Sequence, residues 1–349
     1  DANTLINSGN SWTASTPIRT LKADKYIFAG INLTPAIINE ITSRGLGAFS
    51  YKEFEQSISD LTNPTDGFVM FNTTYPAVTP GDALATSAEA AKANPISIPV
   101  SRVVAKAAVV KSTSFVVNGG GTMQNITYGW RNINRRFYFI PKIDGGIIKD
   151  YNWDSYNVND FVRGTDQIPV NEATATPTTF SYALENSFNY IPGSSLVDQT
   201  TFLSIQGQFL PTQICRIKTG VTAPQGATDF EFVNNPNGYG TFYVVRTDDG
   251  SSNYFITGTD AEKYAELCIA HAPDMPALTG GYSLSDNTFT NGMCYFHVLV
   301  NSAASGQYGP YGIYRNQYYH MTLNSIQAPG NPNDNFDHNQ VISPNTWVD

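Results

Sequence analysis

Near its C-terminus the chain reads Tyr308-Gly309-Pro310-Tyr311-Gly312-Ile313-Tyr314-Arg315-Asn316-Gln317, and then Tyr318 to Ile326. A turn rich in glycine and tyrosine feeds a stretch of period two. Tyr319, Met321 and Leu323 fall on one face, and Tyr318, His320, Thr322 and Asn324 on the other. That is the pattern of a half-buried strand, and it recurs. Ile126, Tyr128 and Trp130 alternate with polar positions, and Phe202–Pro211 and Met293–Asn301 read as further strands. Thr241–Arg246, Asn253–Ile256 and Arg136–Ile140 are shorter ones. Turn signals separate them, as in a β-sandwich.

Length and charge narrow the class. At 349 residues the chain is too long for one small domain and suggests two. Charged residues are 14% of it, well below the usual quarter, and Asn, Thr, Ser, Gly and Tyr fill the gap, as on secreted β proteins. A net charge of -9 argues against nucleic acid and against anionic membrane surfaces. No apolar run is long enough to span a bilayer. The chain opens on polar Asp1-Ala2-Asn3-Thr4 with no signal-peptide pattern, as expected after removal of a leader or for a cytosolic chain. Cys215, Cys268 and Cys294 lack zinc spacing and allow one disulfide or three buried thiols.

The first ninety residues read as one unit. Lys25–Ile31 is expected to be a buried strand. Thr34 caps a short helix with Pro35 at its first position, an apolar face of Ile37, Ile38 and Ile41, and Gly45 at its end. Ser50-Tyr51-Lys52-Glu53 reads as a capping box for a second helix carrying Phe54, Ile58 and Leu61. Gly67–Phe71 is another strand. Farther on, Thr259-Asp260-Ala261-Glu262 reads as a capping box for a helix with Tyr264, Leu267 and Cys268.

The string from Tyr308 to Ile326 resembles the closing motif of the fimbrillins, the pilin subunits of bacterial type V pili. The matching positions are Tyr308, Gly309, Gly312, Arg315, Asn316, Tyr319, Asn324 and Ile326, followed by a Gly330-Asn331-Pro332 exit. Weaker matches follow the family's order: Lys25–Ile31, Phe54–Leu61, Phe68–Phe71, Arg102–Val110, Tyr182–Asn186 and Thr201–Pro211. The resemblance implies an all-β fold with a few short helices, built as two transthyretin-like β-sandwich domains. Their expected extents are residues 1–98, lacking its first strands, and 99–349, with a polar tail from about 330.

The implied function is that of a structural subunit of an extracellular pilus, made as a lipoprotein precursor and anchored at the bacterial outer membrane. Subunits assemble when an arginine- or lysine-directed protease removes a strand and a neighbour's C-terminal strand fills the groove, which is β-strand addition. The expected groove is Tyr26, Ile27, Phe28, Phe68, Val69, Met70 and Phe71. Expected partners are other pilin subunits, the processing protease and a host glycan or protein ligand, with no nucleic acid. The donor strand would start near Val341–Asp349, and Asn331–Asn345 is expected to leave the body as a poorly anchored extension.

Competing sites have plainer readings. His297 and His320 suit strand positions better than a metal site. Asp248-Asp249-Gly250 suits a hairpin turn, and Asn331–Asp337 a polar linker. Glu185 and Glu262 lack a carboxylate partner in any glycosidase-like motif. No catalytic group, cofactor or metal is expected, and the chain is not read as an enzyme. The alternatives are a non-polymerising secreted carbohydrate- or protein-binding β-sandwich adhesin, marked by clustered exposed aromatics, and a secreted hydrolase, marked by two close carboxylates in a pocket.

Overall fold

The computed structural model describes residues 5–9, 11–44, 53–55, 61–63, 67–154, 156–236, 238, 240–300 and 308–343. It is mainly β. Eleven strands carry the argument: β1 (Gly30–Ile31), β2 (Met70–Asn72), β3 (Val100–Arg102), β4 (Val104–Val117), β5 (Gly121–Arg131), β6 (Ser181–Leu184), β7 (Phe202–Pro211), β8 (Phe242–Arg246), β9 (Ser252–Phe255), β10 (Met293–Val298) and β11 (Tyr318–Ile326). The helices among the described residues are α1 (Pro35–Arg44), α2 (Ala88–Ala93) and α3 (Gly258–Ile269).

Two sheets share the main core. One has the order β6-β4-β11, with β6 antiparallel and β11 parallel to β4. The other has Ile168–Pro169, β5, β7 and β10 in that order, all antiparallel. Ala105, Ala107 and Val109 of β4 meet Ile126, Tyr128 and Trp130 of β5 and Leu203 and Ile205 of β7. Tyr319, Met321 and Leu323 pack on this core, while Tyr318, His320, Thr322 and Asn324 are exposed. The expected alternation of the closing strand is therefore present. Gly119 turns β4 into β5 at φ +71°, and a Cβ there would lie 2.4 Å from the Gln327 carbonyl.

β3 pairs with β2, and the chain runs on through Val103 into β4. One cluster holds Ile37, Leu61, Val69 and Phe71 together with Val103, Val104, Phe137, Phe139 and Leu184, so the N-terminal segment and the following region share a core.

Several local expectations need correction. In α1, Thr34 Oγ1 accepts from the Ile37 N–H as foreseen, but Ile38 is exposed because neighbours on a helix point about 100° apart. Lys25–Ile31 is not one continuous strand: only Gly30–Ile31 joins a ladder, with an isolated bridge from Lys25 to Thr79. The Asn72 side chain takes the place of ladder partners, accepting from the Ala29 N–H at 2.7 Å and donating to the Ile27 carbonyl at 3.3 Å. Glu53–Glu55, read as helix, forms an antiparallel strand with Arg136–Tyr138. Non-local pairing overrides local helix preference there. The remainder of the expected capping box, Ser50 to Lys52, and Ile58 lie outside the described residues, as does Gly45. α3 begins two residues earlier than expected: Thr257 is its cap, its Oγ1 accepting from the Asp260 N–H. Cys268, on the buried face of α3, and Cys215 share one cluster, and Cys294 lies in β10, all as free thiols.

Candidate functional site

The closing motif is a latch made by one buried ion pair. Arg315 and Glu185 are 5% and 1% exposed. Arg315 Nε donates to Glu185 Oε2 and Nη2 to Oε1, both at 3.0 Å, in the bidentate geometry that suits guanidinium and carboxylate. Its other bonds go to the carbonyls of Phe139, at 2.7 Å, and Tyr138. One side chain thus ties the segment before β11 to the end of β6 and to Tyr138 and Phe139.

The other motif residues hold the turn in shape. Tyr314 Oη accepts from the Gly309 N–H at 2.6 Å, and the Tyr319 hydroxyl accepts from the Tyr314 N–H at 2.9 Å. A Cβ on Gly312 would come within 2.5 Å of the Tyr314 hydroxyl, so only glycine fits under that ring. Tyr308 accepts from Gln317 Nε2. Asn316 has φ 58° and accepts from Arg102, and its own N–H donates to the Val104 carbonyl. Asn324 is exposed, and Ile326 is buried at the end of β11.

Glu185 has an acidic neighbour in space, Asp150, that no sequence motif ties to it. Asp150, 2% exposed, takes the Asn134 side-chain amide on Oδ2 at 2.8 Å. Burial and then the Glu185 charge push its carboxyl well above the usual range. Two carboxylates and one guanidinium are thus buried together inside the fold. A groove of about 470 Å³ between Tyr190, Pro310, Tyr311 and Ile342 offers phenols and one hydroxyl, with no carboxylate, imidazole or thiol. Among the described residues no group of three or more His, Cys, Asp or Glu is arranged to hold a metal.

From Asn331 to Ser343 the stretch after Gly330 is laid back on the body, which overturns the expectation of a loose extension there; 344–349, the rest of the expected donor start, lie outside the described residues. Asn331 bridges to Tyr295, the Val197 N–H donates to the Gln340 carbonyl, and the Ile342 N–H donates to the Ser195 carbonyl. Phe336 meets Phe202 edge-on at 5.0 Å, and Ile342 is 1% exposed. The main anchor is Asp334, bonded to Arg131 Nε at 2.6 Å, Arg163 Nη2 at 3.0 Å, Ser204 Oγ at 2.6 Å and His297 Nε2 at 3.0 Å. Burial alone would raise the Asp334 carboxyl; the hydrogen bonds from His297, Ser204 and Arg131 outweigh it and hold the group well below the usual carboxylate range. Average polarity hid this one well-placed acid from the sequence reading. His297 is a strand residue bonded to it, as its plainer reading held.

The expected groove residues do not all stand in one place. Val69 and Phe71 are buried, Phe28, Ile27, Phe68 and Met70 are half-buried, and Tyr26 is 54% exposed. Tyr75, which the sequence reading passed over, joins Tyr26 and Phe28 at ring distances of 5.7 and 5.9 Å.

Residues 287–349 match the family described as major fimbrial subunit protein type IV, fimbrillin, C-terminal. The closing segment is that of a fimbrillin. Three solved structures are similar to the chain. A candidate cell adhesion protein from Parabacteroides distasonis ATCC 8503 shares 12% identity at a TM-score of 0.40, covering 93% of this chain and 78% of its own. A fimbrilin from Porphyromonas gingivalis W83 shares 16% at 0.38, covering 82% and 69%. The tip fimbrial protein Mfa3 from Porphyromonas gingivalis shares 14% at 0.31, covering 65% and 77%. No curated protein matches the chain. The fimbrillin family is one of fimbrial structural proteins rather than enzymes, at the cell surface. Among the described residues no helix is long and apolar enough to cross a membrane.

Proposed function

We propose that this chain is a structural subunit of an extracellular bacterial pilus, assembling by strand exchange between copies after protease trimming and supporting cell adhesion. The observation that carries the reading is the fimbrillin match over 287–349, on a segment whose motif residues are the ones that lock the closing strand in place. β11 lies at the edge of its sheet, with β4 as its ladder partner among the described residues. An open edge of that kind invites a further strand.

In this reading the acceptor lies on the N-terminal segment. Val69 and Phe71 form its floor, and Tyr26 and Phe28, with Tyr75, present the rings that an incoming strand covers. Its partners are other pilin subunits, a processing protease, and a host glycan or protein ligand. The precursor is a lipoprotein anchored at the outer membrane, and the mature body folds as two sandwich domains divided near residue 98.

The test is assembly. Trimming the exported precursor with an arginine- or lysine-directed protease should give filaments by electron microscopy and ladders of multimers that survive mild denaturant. Deleting the donor strand should leave monomers. If the deletion variant still polymerises, strand exchange is not the mechanism.

A further inference from the structure

The outer face of the β6-β4-β11 sheet carries a row of rings and cations, partly open at Lys106, Phe180 and Tyr318 and packed at its Tyr182 and Phe68 end on the core that the N-terminal segment shares. Tyr182, Lys106 and Tyr318 are register partners on the three strands, so they stand side by side. Their face is opposite to the one that Ala105, Ala107 and Tyr319 turn to the core. The Lys106 ammonium lies 4.1 Å from the Phe180 ring centre and 4.4 Å from that of Tyr318. Phe180 and Tyr318 meet edge-on at 5.8 Å, and His320, two residues on along β11, lies 5.7 Å from Tyr318. At the other end Phe68 lies 5.4 Å from Tyr182, with the Arg102 guanidinium 5.3 Å above it.

Charge selects what such a face can hold. The protein carries a net charge of -9, yet neither Lys106 nor Arg102 has a carboxylate partner among the described residues. Lys111, farther along β4, contrasts with them, being paired to Glu172 at 2.7 Å. Cations set among ring faces keep a strong local field because the rings displace water, and each ammonium retains donors for an anion. An extended acidic peptide would run along the edge of β11 and meet the row at one point. The row runs across the strands, and its rings offer flat apolar surfaces beside a positive charge. A chain of sugar rings lying across the sheet, apolar faces on the aromatics and acid groups on the cations, uses all of it.

We propose that this face binds a carboxylated oligosaccharide, with a uronate carboxylate on Lys106 and its ring stacked on Tyr318 and Phe180. This deepens the adhesion part of the reading above, and it is tested on the isolated chain so that failure here leaves the assembly reading untouched. The probes are an oligogalacturonate and its methyl ester, the same sugar without charge, titrated calorimetrically into the purified protein. The acid should bind, and the ester should bind about tenfold more weakly or less. Lys106→Gln and Tyr318→Ala should each weaken binding about fivefold or more with the thermal midpoint unchanged, while Lys111→Gln should leave it as it is. Tyr318 lies exposed on an edge strand, so that variant remains informative if the Lys106 change disturbs folding. Absence of binding, equal binding of acid and ester, or binding indifferent to Tyr318→Ala would overturn the proposal. Poly-glutamate binding as tightly as the sugar would overturn it in favour of an acidic-polypeptide site.

Discussion

Arg315 donates through three side-chain nitrogens to a carboxylate and two carbonyls inside the fold. Arg315→Met leaves Glu185 charged, buried and without its main partner. The loss should be about 3–5 kcal/mol in urea unfolding, whereas combining Arg315→Met with Glu185→Leu should lose much less, because no lone charge of the pair remains. Asp150 sets a pH dependence of opposite sense to that of an ordinary salt-bridged acid. Folding raises its pKa, so its contribution is full below the unfolded value near 4 and is lost as pH rises towards and through the folded value. Asp150→Asn keeps an oxygen for Asn134 and removes that loss. The variant should be more stable than the parent at pH 7 by on the order of 1 kcal/mol or more, with the gap closing towards pH 4. At this scale the motif and the Tyr182–Asn186 match marked Arg315 and Glu185 separately, and the sequence held no sign that the two pair. Glu185 and Arg315 meet only because β6 and β11 flank the same strand. Asp150 has no periodic pattern around it that would mark it as buried.

Strand alternation was legible in β11, where one buried face imposes a period of two, and β5, β7 and β10 also formed where they were read, although β7 is buried on both faces over most of its length. Parallel pairing of β11 with β4 was not legible, since alternation reports which face is buried and not the direction of the neighbour. Glu53–Glu55 misled for a related reason: its partner, Arg136–Tyr138, lies too far along the chain for local preference to register. The segment from Gly330 to Ser343 hangs on Asp334, so Asp334→Ala should release it while the sheets persist. Amide exchange should then quicken through Asn331 and Ile342 far more than through β5 and β7. The same change strands Arg131, and global stability should fall by about 3–5 kcal/mol. Because Asp334 is held below its normal range when folded, its own contribution is present above about pH 4 and is lost as pH drops towards the folded value.

At the scale of the whole molecule, the three cysteines are free and buried, Cys215 and Cys268 in one cluster and Cys294 in another, and burial pushes their thiols up, Cys215 and Cys294 to about 12 and Cys268 to about 11. A thiol reagent at pH 8 should find almost none of them in the native protein and all three in guanidinium, and reductant should leave the unfolding midpoint unchanged. The proposed two-unit division near residue 98 falls just before β3, and Val69, Phe71, Val103 and Phe139 from both sides of it lie in a single cluster, so cutting there should expose apolar surface on both pieces. The pairing of Lys106 with Tyr318 has a consequence in time. β4 is among the first strands of its region to leave a ribosome or an export channel, and its parallel partner is among the last. Until β11 emerges, one edge of a fourteen-residue strand stays unpaired and Val109 stays partly uncovered. Emergence of β11 is therefore the event that commits the region to fold, and a nascent chain stopped before Tyr318 should remain sensitive to protease and prone to aggregate.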